Sequence, residues 1–145
     1  MADTTQLGGV RLFLVLGSVT VLGPASMDIY LPGLPGLARD LGASPSRAQL
    51  TVTTFLIGMA LGQLSAGPLS DVYGRRRPLV GGMALFSIAS LACAVVPNIY
   101  ALGAMRLVQG VAGASGLAIG RAVVRDLYAG RAAARYLSRL MLITG

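Results

Sequence analysis

Two ionisable side chains stand alone in long apolar stretches of this 145-residue chain. Asp28 lies inside a run over residues 12–31, and Arg106 inside a run over residues 99–123. Each carries a charge that an apolar medium rejects. A carboxylate in a membrane-spanning helix costs several kcal/mol against lipid, so it must face protein or a wet cavity. An arginine cannot discard its proton and needs a carboxylate, carbonyls or water. Arg106 lies ~12 Å in from the nearer end of its run, at ~1.5 Å per residue, a difficult depth for snorkelling. The bland alternative places each charge at a membrane–water interface, since Pro32 closely follows Asp28 and Arg106 is in the first third of its run. Gln63, polar in the middle of another apolar run, is a further candidate for a cavity wall.

Other chemistry is ruled out by residue type. The chain has no His and no Glu, which excludes histidine-based triads and zinc sites within it. Cys93 is the single cysteine and reads as a packed thiol. No metal and no cofactor is expected. An enzyme is the weakest functional class, because no nucleophile–base pair is present.

Hydrophobic residues make up 54% of the chain and charged residues 12%, with a mean hydropathy of +0.73. A soluble domain carries about twice that charge. The composition predicts an all-α integral membrane protein in contact with lipid. An isoelectric point of 10.8 raises nucleic acid as a partner, but placement argues against it. All 12 basic residues are arginines, mostly at the ends of apolar runs and not interleaved with aromatics on a wet face.

The apolar runs predict helices over about 12–31, 48–69, 78–96 and 99–123, and a truncated fifth over 136–145 that reaches only ~15 Å, half a bilayer. Residues 1–10 read as a disordered polar lead. A cleaved signal peptide is the rival reading of the first run, which is too long for one. Pro24 predicts a kink. Residues 32–47, with three prolines, read as an external loop, and Ser44 or Ser46 as the cap of the second helix. Gly58, Gly62 and Ala66 recur every fourth residue, a ridge for close helix packing. On the fourth helix Gly110, Gly113, Gly116 and Gly120 fall on one stripe of ~120° at ~100° per residue, which implies another backbone against it.

Between the second and third runs lies a polar hinge, GPLSDVYGRRRPL, over residues 67–79. Gly67 suits close approach to a neighbour, Asp71 a turn or helix N-terminus, Gly74 a positive φ, and Pro78 the first turn of the next helix. Arg75, Arg76 and Arg77 mark this side as cytoplasmic. Counted over the chain, nine arginines (11, 75, 76, 77, 121, 125, 131, 135 and 139) fall on the hinge side and two (39 and 47) on the other, which predicts a cytoplasmic N-terminus.

The hinge resembles the loop between helices two and three of the major facilitator superfamily, G-x-L-[AS]-D-x-x-G-R-[KR]-x-x-L. Only Val72 departs, where that family often has a basic residue. Arg106, Gln109, Gly110, Gly113 and Ala114 resemble the fourth-helix motif of its proton-coupled members. MDIYLPGLP over residues 27–35 and RAVVRDLY over residues 121–128 are similar to the Bcr/CflA group of drug–proton antiporters. Together these resemblances span most of the chain.

The resemblance implies a twelve-helix transporter of the bacterial plasma (inner) membrane. This chain would be an N-terminal fragment whose partner is the missing C-terminal half. Its cargo would be small drug-like molecules exchanged for protons. Asp28, Arg106, Gln63 and Gln109 would line a central cavity. Asp28 would be the protonation site, kept charged by Arg106 until substrate arrival or helix rocking parts them. Gly67 and Gly74 would shape the hinge, while Asp71, Arg75 and Arg76 would brace the two halves in the outward-open state. Two alternatives stand beside this: export of a metabolite such as an amino acid or sugar, and an inactive fragment or small helical membrane subunit.

Overall fold

A computed structural model describes residues 3–127 and Ser138. The helices are α1 (Asp3–Asp40), α2 (Pro45–Tyr73), α3 (Arg76–Val95) and α4 (Ile99–Leu127). No strand occurs among the described residues. Each helix contains a stretch long and apolar enough to cross a membrane: Leu14–Asp40, Pro45–Tyr73, Arg76–Val95 and Ile99–Asp126. The connections are only a few residues long, so successive helices run antiparallel.

The largest difference from the sequence reading is the length of α1. The expected polar lead is helical from Asp3, and the expected loop at 32–47 is helical to Asp40, through Pro24, Pro32 and Pro35. Each proline removes one i→i−4 donor, a loss that membrane helices tolerate when neighbours resatisfy the freed carbonyls. The true stop is Gly42, at φ 57°. Ala43 N–H bonds to Ala38 O at 2.8 Å and Gly42 N–H to Arg39 O at 3.1 Å. This pair of bonds is a Schellman ending, which needs the left-handed residue that glycine supplies. Ala38 then packs with Ala48, Ile99 and Leu102 in a small core at that end of the bundle.

The remaining boundaries have local causes. Ser44 caps α2 by accepting from Arg47 N–H at 3.4 Å, and Pro45 occupies the first turn. α2 ends at Gly74, with φ 80°. Pro78 lies in the first turn of α3. Asn98 Oδ1 accepts from Ala101 N–H at 2.9 Å and starts α4. The run at 136–145 lies, Ser138 apart, outside the described residues.

α4 is the centre of the bundle and touches the other three helices. Of its most apolar window 61% is buried, against 11% for α3. Lipid offers no hydrophobic drive to helix association, so packing depends on small residues that let backbones approach. A Cβ on Gly58 would overlap the carbonyl of Leu107, one on Gly62 that of Val111, and one on Gly110 that of Phe55. These three glycines make the α2–α4 seam. The stripe on α4 meets more than one partner. A Cβ on Gly116 would lie 2.6 Å from Val19 O of α1, one on Gly120 2.6 Å from Thr20 Cγ2, and one on Gly113 3.2 Å from the Phe86 ring of α3. Large apolar side chains such as Ile29, 80% exposed, point outward.

Candidate functional site

Arg106 is 5% exposed and sits where all four helices converge. The i, i+4 pair Ser26 and Tyr30 reaches it from α1, and the i, i+4 pair Thr51 and Phe55 lies on α2. From α4 itself, Gln109 stands one turn on. The Arg106 Nη1 donates to Gln109 Oε1 at 2.9 Å and to Ser26 Oγ at 3.4 Å. Its guanidinium carbon lies 3.4 Å from the centre of the Tyr30 ring and 5.7 Å from that of Phe55. Two aromatic faces therefore supply part of the negative potential that a carboxylate would have supplied.

Two hydrogen-bond chains hold this arrangement. Gln109 Nε2 donates to Ser90 Oγ at 2.7 Å, and Ser90 donates to Phe86 O at 2.8 Å, so α3 fixes the amide. Thr51 Oγ1 donates to Ala48 O at 2.6 Å. That leaves Tyr30 to donate its hydroxyl proton to Thr51 Oγ1, and so α2 fixes the ring. Arg106 Nε remains buried, with no acceptor among the described residues. Beside it a hollow of about 350 Å³ is lined by Ser26, Tyr30, Ser90, Cys93, Arg106 and Gln109 together with apolar residues of α1.

Of the four residues expected around one cavity, the structure brings together Arg106 and Gln109 only. Asp28 is exposed, and among the described residues no ion pair includes it. The reason is helical phase. Ser26 and Tyr30 face Arg106, and Asp28 is two residues from each, ~200° around the helix at ~100° per residue. The expected contact between Asp28 and Arg106 is therefore absent. Because α1 continues to Asp40, Asp28 stands near the middle of the Leu14–Asp40 span, with ~18 Å of helix beyond it at ~1.5 Å per residue. Gln63 belongs elsewhere: it is exposed and accepts from Arg121 Nη2 at 3.2 Å, ~22 Å along α4 from Arg106 at ~1.5 Å per residue.

The hinge forms a separate polar cluster at the Arg75 end. Arg75 Nη1 pairs with Asp71 Oδ1 at 2.8 Å, and Arg75 Nε with Asp126 Oδ2 at 3.0 Å. Ser70 Oγ accepts from Arg75 as well. This cluster borders an open groove of about 500 Å³ between α2 and α4, lined by Gln63, Gly67, Asp71, Arg75, Arg121 and Arg125 among others. Arg76 is exposed. The close approach expected at Gly67 is not made among the described residues: nothing lies within 4 Å of a Cβ built there, because Gly67 opens onto this groove.

Sequence reasoning gave no site role to Ser26 and Ser90, nor to Tyr30 and Asp126, although these two lie inside the quoted motifs at residues 27–35 and 121–128. Ser26 and Tyr30 carried a usable signal, since their i, i+4 spacing puts two polar groups on one face of an apolar helix. Ser90 carried none, and the motif around Asp126 did not show its pairing with Arg75, because in each case the partner is distant in the chain.

A bundle of apolar helices spanning a membrane, closed on glycine seams around a buried guanidinium, defines a multi-pass integral membrane protein. Its sequence matches the Major Facilitator Superfamily over residues 16–145, and the chain belongs to that family. It is 47% identical over 135 residues to the uncharacterized MFS-type transporter YdgK of Bacillus subtilis, covering 93% of this chain and 34% of the relative. It is 38% identical over 134 residues to the multidrug resistance protein MdtL of Klebsiella pneumoniae, covering 92% and 34%. A bicyclomycin resistance protein homolog of Haemophilus influenzae is 34% identical over 130 residues, covering 90% and 33%. The chain thus spans about a third of the length of the relatives it matches.

Proposed function

We propose that this chain is part of a transporter that exports small drug-like molecules across the bacterial plasma membrane in exchange for protons, with its N-terminus in the cytoplasm. Two relatives are named for resistance to drugs, which supports the cargo class. The arginine excess on the hinge side supports the orientation. The observation that carries proton coupling is Asp28, an acid without a cation partner among the described residues, near the middle of an apolar span. Such a group is stable in an apolar span when neutral or when water or a cationic solute reaches it. Taking up a proton and accepting cargo are then competing ways to satisfy one carboxylate, which is the logic of exchange.

In this reading Arg106 acts by position and not by touching the acid. It ties α1 to α4 through Ser26 and Tyr30, so a movement of α1 that repositions Asp28 must carry or break those contacts. Asp71, Arg75 and Arg76 brace against helices of the transporter outside this chain, with Gly67 admitting one of them into the open groove. The test is substrate binding by the full-length transporter as a function of pH. Asp28→Asn is expected to abolish the pH dependence; persistence of the wild-type profile removes Asp28 from the coupling step.

A further inference from the structure

Arg106, Gln109 and Ser90 form a chain of hydrogen bonds whose direction is set at both ends. A guanidinium has donors and no acceptor, so the Gln109 atom that meets Arg106 Nη1 at 2.9 Å must be Oε1. The other end of the amide, Nε2, then faces α3 and donates to Ser90 Oγ at 2.7 Å. The Ser90 hydroxyl accepts this bond and sends its own proton to Phe86 O at 2.8 Å, a carbonyl that cannot donate. Turning the amide over would set its N–H groups against those of the guanidinium. The seam between α3 and α4 holds the chain at its working length. Gly82, Phe86 and Ser90 recur every fourth residue and so share one face of α3. A Cβ on Gly82 would overlap Ser115 Oγ of α4, and one on Gly113 of α4 would lie 3.2 Å from the Phe86 ring. Both Arg106 and Gln109 are buried, where an amide that loses its acceptor is costly.

We infer that Ser90 is a positioning residue for Arg106. Its hydroxyl holds the Gln109 amide, and the amide holds the guanidinium at the rotation from which it reaches Ser26 and Tyr30 of α1. α3 thereby acts on the contact between α1 and α4 without touching α1 at this point. Every link lies between residues of this chain, so the direction of the chain is set by them alone. The consequence for transport rests on the export reading above, in which Arg106 ties α1 to α4; the geometry does not.

Ser90→Thr and Ser90→Val have nearly the same shape and differ in the hydroxyl. A threonine hydroxyl can donate to the carbonyl four residues back, as Ser90 does. Both variants are made in the full-length transporter, with Ser90→Ala replacing Ser90→Val if the added methyls prevent folding. The first readout needs no cargo. It is the rate at which the Arg106 guanidinium protons exchange with heavy water, followed by nitrogen-15 NMR of arginine-labelled protein and assigned by the signal missing from Arg106→Lys. Ser90→Val is expected to speed this exchange about tenfold, the weight of one neutral hydrogen bond, and Ser90→Thr to keep it slow. Equal rates in the two variants overturn the inference. The second readout is export turnover, expected to be at least about fivefold lower in Ser90→Val than in Ser90→Thr. That difference is expected to vanish when Gln109→Leu is added, because Ser90 acts through the amide. In a wild type that exports, equal turnover of the two variants, or a difference that survives Gln109→Leu, overturns the role in transport. A protein whose exchange depends on Ser90 but which exports no drug-like molecule removes the export reading and keeps the positioning of Arg106; one that exports while its exchange ignores Ser90 does the reverse.

Discussion

The guanidinium carbon of Arg106 lies 3.4 Å from the centre of the Tyr30 ring, and the hydroxyl of that ring is held by Thr51. One aromatic residue thus links α1, α2 and α4 at the depth of a guanidinium that meets no carboxylate among the described residues. Stacking on a ring face is worth ~2 kcal/mol once both partners are desolvated, and the hydroxyl bond adds ~1 kcal/mol. Tyr30→Phe keeps the ring and should lower thermal stability in detergent mildly. Tyr30→Ala removes both contacts and should lower it by about 3 kcal/mol in all. Equal losses for the two variants would mean that the hydroxyl, not the ring, supports Arg106.

The glycines divide by what surrounds them. A Cβ on Gly62 would overlap the Val111 carbonyl and lie 2.7 Å from Ala114 Cβ, whereas one on Gly67 meets nothing within 4 Å. Gly62→Val should therefore force α2 and α4 apart and cost about 3 kcal/mol, at the upper end for an overpacked core. Gly67→Ala should leave stability unchanged or raise it by up to ~1 kcal/mol through helix propensity. If a helix outside this chain enters the groove at Gly67, the same variant should impair export while remaining well folded. Thermal unfolding and an export assay on one preparation separate the two effects.

Arg75 bridges the end of α2 to the end of α4 through Asp71 and Asp126. All three side chains are partly exposed, and exposed pairs contribute at most ~1 kcal/mol. A double-mutant cycle over Arg75→Ala and Asp126→Asn should return a coupling of this size that shrinks with added salt. A coupling of several kcal/mol, insensitive to salt, would show that the cluster is buried in the full-length protein.

The sequence made helix number, the reversals and the glycine seams legible, because each rests on local properties: run length, a positive-φ glycine, small residues at helical spacing. Gly74 reads correctly as a turn because its φ demand is local. The end of α1 was misread because Pro32 and Pro35 look like punctuation, while Gly42, the residue with the required geometry, carries a weaker signal. Contacts between helices were the least legible. Arg75 with Asp126 spans 51 residues and Arg106 with Ser26 spans 80, and their pairing depends on helix rotation. Rotation also decides Asp28: depth along α1 puts it level with Arg106, but phase turns it away.

That separation yields the most discriminating test. If Asp28 and Arg106 formed one ion pair, removing either would abolish the same interaction, and the double variant would cost no more than one single variant. On opposite faces of α1, with no shared partner, their effects should add to within ~0.5 kcal/mol. Asp28→Asn should be nearly neutral for stability, since it removes a charge that no cation among the described residues compensates. Arg106→Gln should be destabilising, because Gln109 Oε1 and Ser26 lose their donor and the ring of Tyr30 loses its cation. Thermal unfolding of the wild type, both single variants and the double variant of the full-length transporter reads this directly. A coupling of 1 kcal/mol or more would mean that the two side chains meet in a state of the protein other than this one.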